Sequence, residues 1–151
     1  MVSFVAPSGT GKTSMLEAVV ARLNGLGYRV AAVKHDAHRI ELDTEGKDSW
    51  RLRQAGSSDT LLIGRNQILW MGAEEAHFDL RALIELFCPA ADIVLVEGYR
   101  SAGLDTVWVQ RPEVDDPEWR EPATGQVITK AHPDDVDSVV ELLLSRYSLG
   151  G

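Results

Sequence analysis

The chain has 151 residues, of which 44% are hydrophobic, and it carries a formal net charge of −8. A chain of this length can bury a real core but is too short for two ordinary domains. We therefore predict that residues 1–151 form a single domain. The negative charge argues against nucleic acid or an anionic membrane as a partner, because the long-range field repels polyanions.

Cysteine usage and hydropathy indicate the compartment. Cys88 is the only cysteine, so the chain has no intramolecular disulfide and no thiolate cluster, as is typical of a reducing cytosol. No apolar run approaches the roughly 18 residues of a membrane span. Because Met1 leads straight into a predicted strand, we expect no signal peptide and a cytoplasmic location.

The first predicted elements are a strand, a glycine-containing turn and a helix, which lie in Val2-Ser-Phe-Val-Ala-Pro-Ser-Gly-Thr-Gly-Lys-Thr-Ser14. In such a turn, successive backbone N–H groups converge on a phosphate, and the helix dipole adds its positive end. Lys12 can reach the terminal phosphates of a nucleotide, and the Thr13 hydroxyl is placed to bind Mg²⁺. The predicted nucleotide-binding residues are Gly9, Thr10, Gly11, Lys12, Thr13 and Ser14.

This turn departs from the full pattern G-x-x-x-x-G-K-[ST] at one position. Ala6 stands where the pattern begins with glycine, which is tolerable only if the backbone there keeps a negative φ. A plainer interpretation is a polar turn that only caps a helix, with Ser8 or Thr10 as the N-cap. The order of strand, turn, Gly-Lys-Thr and amphipathic helix favours phosphate binding.

A dinucleotide-binding fold is a further alternative. Gly9-x-Gly11 begins the pattern G-x-G-x-x-G, and Asp36 lies near the end of the next predicted strand, as a ribose-binding acid would. Ser14 stands at the third glycine position. This substitution and the Lys12-Thr13 pair favour a nucleoside triphosphate.

A helix, a strand and a polar loop follow. Residues 15–23 repeat apolar side chains at helical spacing, and residues 29–34 form an apolar run that suits a central parallel strand. The strand ends at the edge where open α/β sheets bind ligands, so Lys34, His35 and Asp36 should lie near the nucleotide. The polar segment 35–49 is interpreted as a functional loop, and a short helix is predicted after it.

Residues 59–64 and 67–71 predict two strands around the Arg65-Asn66 turn, which together form an antiparallel hairpin. Exposed hydrophobic strands there could pair with a second copy of the protein. An amphipathic helix is predicted next, entered through Asp79 and closed by Pro89.

Residues 93–96 form a buried strand that ends at Glu97. A carboxylate at this point matches the Walker B arrangement, in which it holds Mg²⁺ opposite Thr13. The alternative is a solvated carboxylate in a turn. Two more strands and a final helix after Asp134 or Asp135 complete a three-layer P-loop NTPase fold: a mostly parallel sheet flanked by helices, with the β-hairpin used for dimerisation.

Three motifs together resemble the molybdopterin-guanine dinucleotide biosynthesis protein B family, a group of small GTP-binding P-loop proteins. They are Ser8-Gly-Thr-Gly-Lys-Thr-Ser14, then Val33-Lys-His-Asp-Ala-His38 with the downstream Gly46-Lys-Asp-Ser49, then Leu95-Val-Glu-Gly-Tyr99. The resemblance implies a homodimer that binds GTP with Mg²⁺ and hydrolyses it slowly at most. It also implies a partner, the guanylyltransferase that joins GMP to molybdopterin, and contact with molybdopterin itself.

The resemblance also assigns residues. Phosphates would be held by residues 9–14, and Mg²⁺ by Thr13 and Glu97. The segment 129–133 lies where guanine contacts are expected, but no acid stands at the matching position, which leaves Asp134 as a doubtful base contact. The loop that senses the γ-phosphate or meets the cofactor precursor would contain His35, Asp36, His38, Asp43, Lys47, Asp48 and Arg51.

Other functions remain open at this point. The two histidines, with Asp36 and Asp43, could form a transition-metal site or only a solvated turn. An ATP-dependent small-molecule kinase could use Asp36 or Asp48 as its base, although 111–120 contains too few arginines for a lid. A pure interaction module could use tryptophans as anchors, and these are Trp50, Trp70, Trp108 and Trp119.

Overall fold

The computed structural model of the chain describes residues 1–35, 43–72, 79–111, 113 and 124–149. Two compact units divide the chain. The first, here called the sheet unit, comprises Met1–Ala37 and Cys88–Gly151. The second, His38–Phe87, is inserted into the first and is here called the hairpin unit.

A parallel five-stranded sheet organises the sheet unit, in the order β2-β5-β1-β6-β7. In this order β1 lies between β5 and β6, and the chain passes from β5 across β1 to β6. Open α/β sheets bind ligands at the carboxyl edge, where the strand order reverses. The elements of this unit are β1 (Val2–Val5), α1 (Lys12–Gly25), β2 (Val30–Lys34), β5 (Ile93–Glu97), β6 (Asp105–Val109), β7 (Val127–Ala131) and α4 (Val136–Arg146).

The core lies between this sheet and the helices α1 and α4. Val2 and Phe4 point from β1 to the helices and are 0% exposed. From α1, Met15, Val19 and Leu23 fill the space above them at helical spacing. The predicted fold class, a mostly parallel sheet flanked by helices, is confirmed.

One strand lies elsewhere in the sheet than the sequence suggested. The apolar run 29–34 predicted a central strand, but β2 is at the edge, and Ala32 and Lys34 on it are exposed. Its partner β5 is the buried strand, with Leu95 and Val96 at 0% exposure. Small side chains at 31 and 32 give an edge strand the same apolar pattern as a buried one.

The hairpin unit contains α2 (Asp48–Gln54), β3 (Thr60–Ile63), β4 (Ile68–Met71) and α3 (Leu80–Phe87). The two strands pair antiparallel, which confirms the predicted hairpin, and the Asp79 carboxylate accepts a hydrogen bond from the Arg81 N–H at the start of α3. Among the residues of this unit that the structure describes, seven large hydrophobic side chains are exposed, namely Leu52, Leu61, Leu62, Ile63, Ile68, Leu86 and Phe87. No helix in the described part of the chain is both long and apolar enough to span a membrane.

The last helix is fastened to the sheet by a polar cluster at the start of β6. The Asp105 carboxylate accepts hydrogen bonds from Arg146 Nε at 2.7 Å and from the Tyr147 hydroxyl at 2.9 Å. The hydrogen bond from Arg146 holds the pKa of Asp105 below its usual value, and it outweighs the opposite effect of burial. Burial and the bond to Asp105 raise the pKa of Tyr147 to about 12.

We expect Asp105→Asn to lower the free energy of unfolding by about 1 kcal/mol at pH 7, since a charge-assisted contact is lost at a partly exposed site. A lowered pKa in the folded state gives stability that is present above the unfolded pKa of about 3.9 and is lost as pH falls below it. The difference between wild type and variant should therefore shrink from pH 5 to pH 3. Urea titrations at each pH measure it.

Asp137→Asn is the matched control, because Asp137 pairs with Arg22 at side-chain exposures of 82% and 59%. That pair should contribute less than about 0.5 kcal/mol. An Asp105→Asn variant as stable as this control at pH 7 would contradict the role of the cluster.

Candidate functional site

The site begins where β1 ends and the chain turns into α1. Gly9 and Gly11 have φ angles of 77° and 95°, a region that L side chains rarely adopt. Ala6 is 4% exposed and packs into the core. Its φ is not positive, since among the described non-glycine residues only Tyr99 and Ser148 have positive φ. Alanine is therefore compatible with the turn.

The polar side chains of the turn do not cap α1. The Thr10 hydroxyl donates to the Pro7 carbonyl at 2.9 Å, and the N-cap position is taken by Gly11, which has no side chain to offer. The N–H groups of residues 12–14 at the start of the helix are thus left for water or an anion, while the Met15 N–H donates to the Gly11 carbonyl. The structure does not support the alternative in which Ser8 or Thr10 only caps a helix.

Glu97 connects this turn to the neighbouring strand. Parallel pairing aligns Phe4 of β1 with Glu97 at the end of β5. One carboxylate oxygen, Oε1, accepts the Thr13 hydroxyl at 2.9 Å and lies 3.6 Å from Lys12 Nζ. The Glu97 side chain is only 12% exposed and that of Lys12 21%. The predicted pair of Mg²⁺ ligands and the phosphate-binding lysine therefore lie together.

The geometry of this pair fits a magnesium ion. Mg²⁺ binds six oxygens octahedrally at 2.0–2.1 Å, so adjacent ligand oxygens lie about 2.9 Å apart. The distance from Thr13 Oγ1 to Glu97 Oε1 has this value, 2.9 Å. Mg²⁺ usually takes one or two protein carboxylates and completes its shell with phosphate and water. The two protein oxygens here, one from a hydroxyl and one from a carboxylate, agree with this usual pattern of Mg²⁺ coordination.

Two hydrogen bonds to β1 fix the turn after β5, and this turn contains a residue with a strained backbone. Gly98 donates its N–H to the Phe4 carbonyl at 2.9 Å, while its own carbonyl accepts the Ser3 hydroxyl. Tyr99 follows with a φ of 61°, unusual for a bulky side chain and a conformation that costs about 1–3 kcal/mol. Its ring stacks on His35 with centroids 4.2 Å apart. Such strain clusters at functional sites.

His35 is also hydrogen-bonded to the end of β5. Its N–H donates to the Glu97 carbonyl at 3.0 Å, and a Cβ on Gly98 would lie 3.2 Å from the His35 carbonyl. These contacts put His35 beside Glu97, and its predicted position near a nucleotide stays a prediction.

Arg111 is a site residue that the sequence reasoning missed. It follows β6 at the carboxyl edge, and its Nε donates to the Thr10 carbonyl at 2.9 Å. A Cβ on Gly11 would lie 3.4 Å from the Arg111 guanidinium and 3.3 Å from Pro133. The available signal was the position of Arg111 directly after a predicted strand, at the carboxyl edge of the sheet. The sequence analysis considered this residue only as part of a lid.

Four described residues of the loop predicted to sense the γ-phosphate lie in the hairpin unit. Asp43 is 10% exposed and accepts the Ser49 hydroxyl at 2.8 Å, which fixes the start of α2. Asp48 and Arg51 form an exposed i,i+3 pair at 3.9 Å. Lys47 takes the N-cap position of α2. A part in ligand sensing stays a prediction for Asp43, Lys47, Asp48 and Arg51.

Asp36 and His38 lie outside the described residues, so their predicted roles also stay predictions. Within the described ranges, no group of three His, Cys, Asp or Glu side chains could hold a metal ion. The transition-metal alternative invoked both undescribed residues and is therefore untested.

The doubtful base contact, Asp134, lies in the turn between β7 and α4. Its side chain is 83% exposed and lies 3.3 Å from His132 Nδ1. The same turn carries Pro133, which approaches Gly11. Asp134 thus follows a residue that lies close to Gly11, and base recognition by Asp134 stays a prediction.

Comparison with known proteins gives one consistent family. The sequence model of the MobB family, molybdopterin guanine dinucleotide synthesis protein B, matches residues 1–131. A molybdopterin-guanine dinucleotide biosynthesis adapter protein of Haemophilus influenzae is 35% identical over 111 residues, covering 73% of this chain and 62% of the relative. The Escherichia coli protein of that name is 33% identical over 103 residues, 66% of this chain and 59% of the relative. The chain thus spans about six tenths of the length of these relatives.

Solved structures share the fold along nearly the whole chain. The crystal structure of a molybdopterin-guanine biosynthesis protein B has a TM-score of 0.65 and 25% identity, covering 97% of this chain and 98% of that one. Bacillus subtilis MobB has the same TM-score and identity, with 96% of both chains covered.

We expect Gly11→Ala to lower the free energy of unfolding by about 1–2 kcal/mol, because a Cβ at φ 95° is strained and meets Pro133 at 3.3 Å. Gly25→Ala is the control, since a Cβ there meets no atom within 4 Å and its φ is not positive. That variant should be at least as stable as wild type. Urea unfolding measures both, and equal stability of the two variants would contradict the expectation.

Proposed function

The chain belongs to the MobB family, and on this premise we propose that it is a GTP-binding adapter protein of molybdopterin-guanine dinucleotide biosynthesis. The observation that carries the proposal is the approach of Lys12 and Thr13 to one Glu97 oxygen. Both relatives named above are called adapter proteins of this biosynthesis. Their role comes to this chain as part of the proposal.

In the proposed complex, the turn at residues 9–14 holds the phosphates and Lys12 neutralises their charge. Thr13 and Glu97 would hold Mg²⁺, which supplies charge neutralisation and orientation of the terminal phosphates when bound. Glu97 would exchange its contact with Lys12 for the metal, and this releases the ammonium group to the phosphate. The preference for GTP over ATP is taken from the family.

Hydrolysis by this site should be slow. The described residues at the site include no glutamine to orient a water molecule, and the Nε of Arg111 is engaged by the Thr10 carbonyl. Such a protein holds a nucleotide more readily than it cleaves it. We propose that it presents GTP to the guanylyltransferase that joins GMP to molybdopterin, with no nucleic acid or membrane partner. The alternative, a small-molecule kinase using ATP, finds no support in the family comparisons.

We further propose that residues 1–151 act as one nucleotide-binding domain in the cytoplasm, and as a homodimer. The dimer proposal rests on the hairpin unit, where Ile63 and Ile68 face each other across β3 and β4 at exposures of 77% and 69%. Exposed apolar strands of this kind commonly pair with another chain.

The proposal is tested by calorimetric titration with non-hydrolysable GTP and ATP analogues, each with and without Mg²⁺. Wild type should bind the guanine analogue in preference, and more tightly with metal. Lys12→Ala should weaken binding about a hundredfold, as expected when a buried charge-assisted contact to phosphate is lost. Arg22→Ala, on an exposed face of α1, is the control and should bind as wild type does.

Glu97→Gln adds to this test, because it distinguishes the contribution of Mg²⁺ to binding from the contribution of Lys12. The gain in affinity from Mg²⁺ should fall at least about tenfold, the effect of one charge-assisted contact. Without metal, the variant should bind the analogue at least as well as wild type, since Lys12 no longer has a carboxylate beside it. Unchanged Mg²⁺ dependence would remove Glu97 from the site, and preference for the adenine analogue would overturn the GTP assignment.

For the dimer, we expect the double variant Ile63→Lys, Ile68→Lys to sediment as a monomer where wild type sediments as a dimer. Lysine charges on the exposed hairpin oppose pairing with a second chain. In the isolated chain these side chains stay in solvent, so the substitutions bury no charge there. Leu26→Lys, at a 48% exposed position after α1, is the control and should remain dimeric. A monomeric wild type, or a double variant that stays dimeric, would contradict the proposed interface.

A further inference from the structure

The turn before α1 is held by a residue that lies 101 positions further along the chain. Arg111 follows shortly after β6, and its Nε donates a hydrogen bond to the Thr10 carbonyl at 2.9 Å. Hydrogen bonds from an ionised donor are roughly twice as strong as neutral ones. Thr10 is only 1% exposed, so water has little access to it. The contact therefore fixes the plane of the peptide between Thr10 and Gly11.

Gly11 is the reason why this plane needs to be held. Glycine adopts positive and negative φ at nearly equal cost, so a peptide beside it rotates easily when nothing restrains it. A larger residue fits poorly, because a Cβ on Gly11 would lie 3.3 Å from Pro133 and would be strained at a φ of 95°. The Thr10 hydroxyl donates to the Pro7 carbonyl and fixes the preceding part of the turn. The hydrogen bond from Arg111 thus restrains the peptide that the glycine leaves free.

The direction of the Thr10 carbonyl determines where the Gly11 N–H points. In a trans peptide these two groups point in opposite directions, and the described part of the chain contains no cis peptide. The Gly11 N–H therefore points away from Arg111. In the proposed function it is one of the donors that hold the nucleotide phosphates. Rotation of the peptide would replace this donor with the Thr10 carbonyl oxygen, an acceptor that repels an anion.

The positive charge of Arg111 faces a carboxylate. One of its terminal nitrogens, Nη1, lies 3.7 Å from Glu113 Oε1, and the two side chains are 36% and 64% exposed. A pair this exposed contributes little to stability, but the carboxylate offsets the charge of Arg111 near the turn. This favours the hydrogen bond from Nε, and not attraction of phosphate by the guanidinium charge, as the contribution of Arg111.

We propose that Arg111 is a positioning residue for nucleotide binding: by holding the Thr10 carbonyl, it keeps the Gly11 N–H directed at the phosphates. The inference rests on the proposed function, since it takes this turn as the phosphate site. A donor that is oriented before the nucleotide arrives lowers the ordering cost of binding. Loss of the contact therefore weakens nucleotide binding without any direct contact between Arg111 and the nucleotide.

Two substitutions of nearly equal size separate the hydrogen bond from the charge. Arg111→Gln puts a neutral amide N–H at the position of Nε, and Arg111→Met puts a methyl group there. In calorimetry of the full chain with Mg²⁺ and a non-hydrolysable GTP analogue, Arg111→Met should bind at least about tenfold more weakly than wild type, the effect of one charge-assisted hydrogen bond. Arg111→Gln should bind less than about threefold more weakly, because it retains a donor.

Arg22→Met is the control, since it removes a charge from a side chain that is 59% exposed on α1. It should bind the analogue within about twofold of wild type. Equal losses of affinity in Arg111→Gln and Arg111→Met would overturn the proposal in favour of the guanidinium charge. Wild-type affinity in Arg111→Met would overturn it outright.

NMR of the same variants without nucleotide tests the contact itself. In isotopically labelled protein, the carbon resonance of the Thr10 carbonyl should move upfield in Arg111→Met and much less in Arg111→Gln, because a hydrogen bond deshields a carbonyl carbon. Unchanged resonances of α4 show that the variants are folded. A Thr10 resonance that does not move in Arg111→Met would also overturn the proposal. A moved resonance in a protein whose wild type binds no nucleotide would overturn the proposed function and leave the hold of Arg111 on the turn standing.

Discussion

The carboxylate of Glu97 is the point on which the site and the core of the sheet unit both depend. It lies at the end of β5, in register with Phe4, and contacts Lys12 and Thr13 with one oxygen. A slip of β5 by one residue would turn Val96, now fully buried, toward the turn and place Glu97 inside the sheet face. A buried charge without a partner costs several kcal/mol. The register of β5 that buries Val96 is thus the same register that places the Glu97 oxygen beside Lys12 and Thr13.

The contacts of Glu97 also explain why a metal ion belongs in the proposed mechanism. Without a ligand, the carboxylate and Lys12 neutralise each other at 3.6 Å. A phosphate that takes over the lysine leaves the carboxylate facing another anion. At about 4 Å and an effective dielectric constant of 20, two like charges repel by about 4 kcal/mol. In the proposed complex, a divalent cation between them would reverse this sign, so binding of the nucleotide with its metal would be favoured over binding of the nucleotide alone.

Local signals were sufficient to predict the strand, turn and helix at residues 2–14, because glycines and a helical period leave few other conformations. The buried run before Glu97 was equally clear. The edge position of β2 was not predictable, since small apolar residues suit either an edge or a central strand. Nor could the sequence place Arg111 on the Thr10 carbonyl, 101 positions away in the chain. The positive φ of Tyr99 is likewise set by tertiary contacts, because tyrosine has no intrinsic preference for it.

The two units differ sharply in how many of their described side chains are buried, and this difference bears on the proposed homodimer. The core of the sheet unit contains side chains at 0% exposure from β1, α1, β5 and α4. Among the described residues of the hairpin unit, only Thr60 is buried. A two-stranded hairpin is marginally stable by itself in water, and here its strands leave Leu61 and Ile63 more than half exposed. Exposed apolar side chains on such strands favour contact with another surface, and in the proposed homodimer the hairpin of a second copy would provide it.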